Sequence, residues 1–123
     1  MKYALFVNGQ LSTRPNLGDE WIVVAVDGGM RHVDRADVVV GDLDSIESVP
    51  DCEVVKYPRE KDETDLELAL AWVKDQGGKI VRIYGALGGR VDHEMANIFL
   101  MGDERWKELD LVMLDGTTEV RVL

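Results

Sequence analysis

The chain has a single cysteine, Cys52, in 123 residues. One thiol forms no internal disulfide, and no His/Cys spacing suggests a zinc site. Cys52 itself reads as a small, half-buried residue near a strand. Basic residues are also scarce: 14 Lys and Arg stand against 24 Asp and Glu, a formal net charge of -10. That balance excludes non-specific binding to nucleic acid or to an anionic membrane surface, since both need a basic face. A small nucleotide stays open, because a few local cations and a metal ion suffice to hold one. No apolar run approaches membrane-spanning length. The N-terminal "MKYALFVNGQ" lacks the long apolar core and small-residue cleavage site of a signal peptide. The expectation is a soluble cytoplasmic protein. No internal repeat, low-complexity tract or linker interrupts the chain, so one domain over residues 1–123 is expected.

Hydrophobic residues make up 46% of the chain, and they fall in short β-branched runs. "YALFV" (3–7), "WIVVAV" (21–26), "DVVV" (37–40), "EVVKY" (53–57), "KIVRIY" (79–84) and "LDLVML" (109–114) read as six strands. Several are continuous and not alternating, which suits strands covered on both faces. A final run, "EVRVL", alternates.

Between the strands lie helical patterns. Residues 64–76 place Leu66, Ala69, Leu70 and Val73 on one face, with Thr64 and Glu67 as a capping box and Gly77-Gly78 as the stop. Residues 92–100 predict a second helix with Met95, Ile98 and Phe99 on one face. A shorter helix is expected after Gly28-Gly29, through "MRHVDRA". Alternating strands and helices predict an α/β fold: a three-layer, doubly wound, mostly parallel sheet of about six strands.

Ligands of such sheets bind at the carboxyl ends of the strands. Four successive strand ends carry polar, glycine-rich or acidic segments: Asp27-Gly28-Gly29, then "GDLDS" (41–45), then "PREKDETD" (58–65), then "GALGGRVDHEMAN" (85–97). If the sheet is wound as expected, these segments converge on one edge. Convergence has an electrostatic cost. Two carboxylates about 5 Å apart repel by roughly 3 kcal/mol at an effective dielectric near 20. Asp42, Asp44, Asp65 and Asp92 together imply a positive partner. Hard oxygen donors without thiolates or paired imidazoles suit Mg²⁺, which binds through a few carboxylates plus phosphate oxygens. The pairs Gly28-Gly29 and Gly88-Gly89 let backbone N–H groups approach a phosphate. Each residue also has a plainer reading. Thr64 can be only a cap, Asp65 a dipole partner of its helix, Asp92 an N-cap, His93 a surface histidine, and Asp42 and Asp44 a turn.

"VDGGMRH" (26–32), "VGDLDSI" (40–46), "KDETDLELAL" (61–70) and "GALGGRVDHEMAN" (85–97) stand in the order and form that resemble the catalytic domain of thiamin pyrophosphokinases. The resemblance implies transfer of the β,γ-pyrophosphate of ATP to the hydroxyl of thiamin, giving thiamin diphosphate and AMP. It implies Mg²⁺ as cofactor, ATP and thiamin as partners, and a homodimer in the full-length family form. It assigns Asp42, Asp44 and Asp65 to metal and phosphate, Arg90 to phosphate, and Asp92 to the reacting hydroxyl or metal. Asp27, Gly28, Gly29, Ser45, Lys61, Thr64, Gly89, His93 and Asn97 would line the nucleotide and phosphate path. "GDLDS" carries Leu43 where the family usually has phenylalanine. The family also continues into a second, all-β domain, so the run from Glu119 is expected to lead toward it.

Two other readings compete. "DLDS" resembles the D-x-D of haloacid-dehalogenase-like phosphatases, another metal-dependent class. There it follows the first strand, whereas here it follows the third, and Ile46 stands where threonine or valine is usual. A catalytic domain without its β-domain could also bind nucleotide, or act as an interaction module, without transfer.

Overall fold

The computed structural model describes residues 2–12, 14–41, 52–56, 64–87, 91–116 and 118–121, with the backbone alone at Asp27 and residues 91–94. Among the described residues, seven strands form one sheet: β1 (Lys2–Phe6), β2 (Trp21–Val26), β3 (Val38–Gly41), β4 (Glu53–Lys56), β5 (Ile80–Tyr84), β6 (Asp110–Asp115) and β7 (Thr118–Arg121). Their order is β4-β3-β2-β1-β5-β6-β7. Strands β1 to β6 pair in parallel, and β7 runs antiparallel to β6. The six expected strands are all present. The alternating run near the end supplies the seventh, which joins this same sheet with Leu114 opposite Glu119. The α/β expectation therefore holds.

Helix α1 (Asp65–Asp75) starts where its cap dictates: Thr64 Oγ1 accepts from the Glu67 amide at 3.2 Å. It stops in a Schellman turn. The Gly78 amide donates to Val73 O and the Gly77 amide to Lys74 O, each at 3.0 Å, with Gly77 at φ +82°. Helix α2 (Val91–Met101) matches the expected position, but its packing face differs. Ile98 and Met101 pack on the core, while Met95 and Phe99 are 49% and 72% exposed. Positions 95 and 99 share a stripe, as periodicity suggests. The sheet takes the neighbouring stripe, centred between 97, 98 and 101.

The segment after β2 is a 3₁₀ turn over Asp27–His32, not an α-helix beyond the glycines. The path back to β3 is short, and Asp37 closes it. Its carboxylate accepts from the Val23 amide, and its own amide donates to Val23 O, both at 2.8 Å.

Side chains alternate between the two faces of a strand. Tyr3, Leu5, Val24, Val26, Val81, Ile83 and Met113 face one way, and α1 buries Leu66, Ala69, Leu70 and Val73 against them. Met101 of α2 joins the same cluster. Right-handed crossovers explain why. The connection from β4 to β5 and that from β5 to β6 step in one direction, so their helices share a face. The steps from β1 to β2 and from β2 to β3 run the other way and cover the reverse face. There Ala4, Phe6 and Tyr84 lie under Leu11 and Leu17, while Ala25 and Val39 lie under Met30, Val33 and Ala36. Among the described residues this layer is a 3₁₀ turn and irregular chain. No described helix is long and apolar enough to cross a membrane.

Candidate active site

Because β1 to β6 are parallel, their carboxyl ends share one edge. The four motif segments leave from β2, β3, β4 and β5, and β1 lies between β2 and β5. The chain steps away from β1 in both directions, so the switch point, where open α/β sheets bind ligands, lies between β1 and β5.

The centre of this edge is packed backbone on backbone. The ladder continues past β1, with the Val7 amide donating to Tyr84 O at 2.8 Å. Below it Phe6 and Tyr84 stack, ring centroids 5.0 Å apart. Burial pushes the Tyr84 hydroxyl's pKa up, against a smaller opposing pull from Arg82. A Cβ on Gly29 would stand 1.7 Å from Phe6 O, and one on Gly28 2.5 Å from the Asn8 carboxamide. Gly28 and Gly29 were assigned from sequence to phosphate approach. The chain itself fills their side-chain positions, which gives both a packing reason independent of any ligand.

Toward β4, Asp65 is the first residue of α1, where the helix dipole favours a negative charge. Its Oδ1 is shielded from solvent. Thr64 is exposed beside it, and Glu67 turns away to pair with Arg105 at 3.0 Å. Toward β6, Asp92 and His93 lie in the first turn of α2, which follows the β5 loop. Asn97, one turn further, donates from Nδ2 to Ala86 O at 3.4 Å and so ties α2 to that loop. Asp27 begins the 3₁₀ turn after β2. The topology thus brings Asp27, Asp65 and Asp92 to one edge. Asp42, Asp44, Ser45, Lys61, Gly89 and Arg90 lie outside the described residues. Among the described residues, no three His, Cys, Asp or Glu side chains converge at metal-binding spacing.

Four residues at this edge carried no role in the sequence reading: Asn8, Gly9, Arg31 and His32. Arg31 Nη2 donates to Gly9 O at 2.6 Å, and His32 Nε2 stands 2.7 Å from the same oxygen. The signal was available. "NG" follows the first strand just as the other motif segments follow theirs, and Arg31 and His32 close the "VDGGMRH" run.

The family profile described as "Thiamin pyrophosphokinase, catalytic domain" matches residues 15–113. The thiamine pyrophosphokinase of Bacillus subtilis (strain 168) is 37% identical over 90 residues, which cover 68% of this chain and 40% of that protein. The crystal structure of thiamine pyrophosphokinase from Bacillus subtilis superposes with a TM-score of 0.76 at 26% identity, covering 94% of this chain and 61% of that one. The enzyme from Geobacillus thermodenitrificans gives a TM-score of 0.76 at 28% identity, covering 94% and 60%. The chain therefore spans only part of the length of these relatives. The matched region takes in all four motif segments, and the chain belongs to the thiamin pyrophosphokinase catalytic-domain family.

Proposed function

We propose that this chain binds Mg²⁺ and ATP along the carboxyl edge of its parallel strands and transfers pyrophosphate to thiamin. In that reaction the thiamin hydroxyl oxygen bonds to the β-phosphorus of ATP, and the bond to the α-phosphate oxygen breaks. The hydroxyl proton leaves to a base, and the products are thiamin diphosphate and AMP. The observation that supports the reading is topological: the strands are parallel with a switch point at β1/β5, so the strand ends that the motif segments follow lie on one edge.

Transfer of this kind needs positioning and charge neutralisation more than covalent chemistry. Asp42, Asp44 and Asp65 would hold Mg²⁺. Their hard carboxylate oxygens fit it, and when bound it neutralises phosphate charge. Asp65 is the one of the three that is described, and its place at the start of α1 suits that task. Arg90 would face the phosphates, and Asp92 would take the hydroxyl proton. Asp27, Gly28, Gly29, Ser45, Lys61, Thr64, Gly89, His93 and Asn97 would line the path. The same reading carries a cytoplasmic location and a homodimer.

The test is to supply ATP, thiamin and Mg²⁺ and to measure AMP and thiamin diphosphate. Equal yields of the two, lost in Asp92→Asn, are expected. Unchanged Mg²⁺·ATP affinity in both Asp42→Asn and Asp44→Asn would count against the metal role. The chain's 61% span of the solved Bacillus subtilis enzyme favours one second reading, nucleotide binding without transfer. Tight Mg²⁺·ATP binding with no AMP would select it.

A further inference from the structure

Two donors from one 3₁₀ turn converge on the loop after β1. Arg31 Nη2 reaches both Gly9 O, at 2.6 Å, and Asn8 O, at 3.2 Å. His32 Nε2 meets Gly9 O at 2.7 Å. A carbonyl only accepts, so His32 Nε2 must carry a proton there. The turn is braced in its place, because Arg14 donates to Arg31 O at 3.2 Å and pairs with Asp34 at 3.1 Å. From the far side the glycines leave no slack. A Cβ on Gly9 would stand 2.0 Å from Gly85 O, and one on Gly85 2.3 Å from Val7 O and 3.3 Å from His32 Cδ2.

This arrangement contributes little to global stability. Arg31 and Asn8 are exposed, His32 is half-buried, and exposed polar contacts each contribute little, because water competes for the same groups. What the contacts do is remove freedom from an exposed turn at the switch point. A turn ordered in advance spares a ligand the cost of ordering it.

We propose that Arg31 and His32 are positioning residues: they fix the Asn8–Gly9 turn in the crevice between β1 and β5, where it forms part of the surface that a nucleoside triphosphate meets. The ligand in this proposal rests on the ATP reading above, whereas the clamp rests on geometry.

The test uses the 123-residue chain with Arg31→Met, His32→Ala and His32→Gln, the last keeping a donor near Nε2. Three quantities are read: the ¹⁵N order parameter of Gly9 without ligand, Mg²⁺·ATP affinity by calorimetry, and Tm. In Arg31→Met and His32→Ala the Gly9 order parameter should fall from about 0.85 to below about 0.6. Affinity should drop roughly tenfold, the equivalent of about one hydrogen bond. His32→Gln should recover most of both. A long-range ¹H–¹⁵N spectrum should show the His32 proton on Nε2. An unmoved Gly9 in both loss variants would overturn the proposal. So would a loosened turn with unchanged affinity, which would make the clamp structural only. Absence of Mg²⁺·ATP binding by the unsubstituted chain would count against the ATP reading, and the order parameters would still decide the clamp. Should His32→Ala fail to fold, the exposed Arg31→Met carries the same comparison.

Discussion

The two faces of the sheet are built differently. One is covered by α1 and α2, and the strands meet them with large side chains such as Tyr3, Leu5, Ile83 and Met113. The other is covered by the β1–β2 connection and the 3₁₀ turn, and the strands there offer the small Ala4, Ala25 and Val39 beside the stacked rings of Phe6 and Tyr84. Under the 3₁₀ turn the strand residues are small, Ala25 and Val39, and irregular chain lies close to them. That closeness brings Asn8, Gly28, Gly29 and His32 together at the carboxyl edge. Helices on one face carry the bulk of the core and bring their first turns to the candidate site, and close-lying chain on the other supplies its glycine-rich part.

The difference can be broken most severely on the helical face. Leu70 is fully buried, so Leu70→Ala should cost about 2–5 kcal/mol in urea unfolding and leave Mg²⁺·ATP affinity of the folded fraction unchanged. Leu17, half-buried on the other face, should cost only about 1 kcal/mol when cut to alanine. On the close-lying face the damaging change is enlargement. Gly29→Ala drives a methyl against Phe6 O and should cost about 1–3 kcal/mol, with loss of nucleotide affinity as the 3₁₀ turn shifts. Equal affinity in Gly29→Ala and the unsubstituted chain would erase the distinction between the faces.

A smaller effect belongs to the start of α1. Thr64→Ala removes the cap and should cost about 1 kcal/mol, while Thr64→Ser should keep most of it. If Thr64 also touches phosphate, the alanine variant loses affinity beyond its loss in Tm.

The smallest effect is alkaline. Burial raises the pKa of Tyr3, with help from the Glu53 charge, and burial raises that of Tyr84. For each, the folded value lies above that of an ordinary exposed tyrosine. The unfolded chain therefore ionises first. The stabilising contribution is present below the unfolded pKa and is lost as the pH rises through the folded one. Stability should begin to decline near pH 10, and Tyr84→Phe should blunt the decline. An unaltered slope in Tyr84→Phe would remove Tyr84 from the account.

Much of this was legible in the sequence. "WIVVAV" is buried on both faces by its last three residues, as a continuous β-branched run predicts. Thr64 and Gly77-Gly78 mark the ends of α1, because caps and left-handed stops are local chemistry. The packing face of α2 was legible only in part: Ile98 packs on the core as expected, whereas Met95 and Phe99 do not. Periodicity offers adjacent stripes, and only the sheet chooses between 95/99 and 98/101. The 3₁₀ turn was missed because local pattern does not carry the packing of Gly28 and Gly29 against Asn8 and Phe6, about twenty residues away in the chain. The clamp was missed for the same reason. Arg31 and Gly9 are 22 residues apart, and no local pattern joins them.

The central claim is that nucleotide binds at the carboxyl edge of the parallel strands, around the β1/β5 switch point. Amide chemical-shift mapping during a Mg²⁺·ATP titration tests it directly. The account predicts that the largest shifts fall at residues 8–9, 27–32, 64–66, 85–87 and 92–97. Shifts concentrated at the opposite edge, around Lys2, Trp21, Lys79 and Asp110, would contradict it.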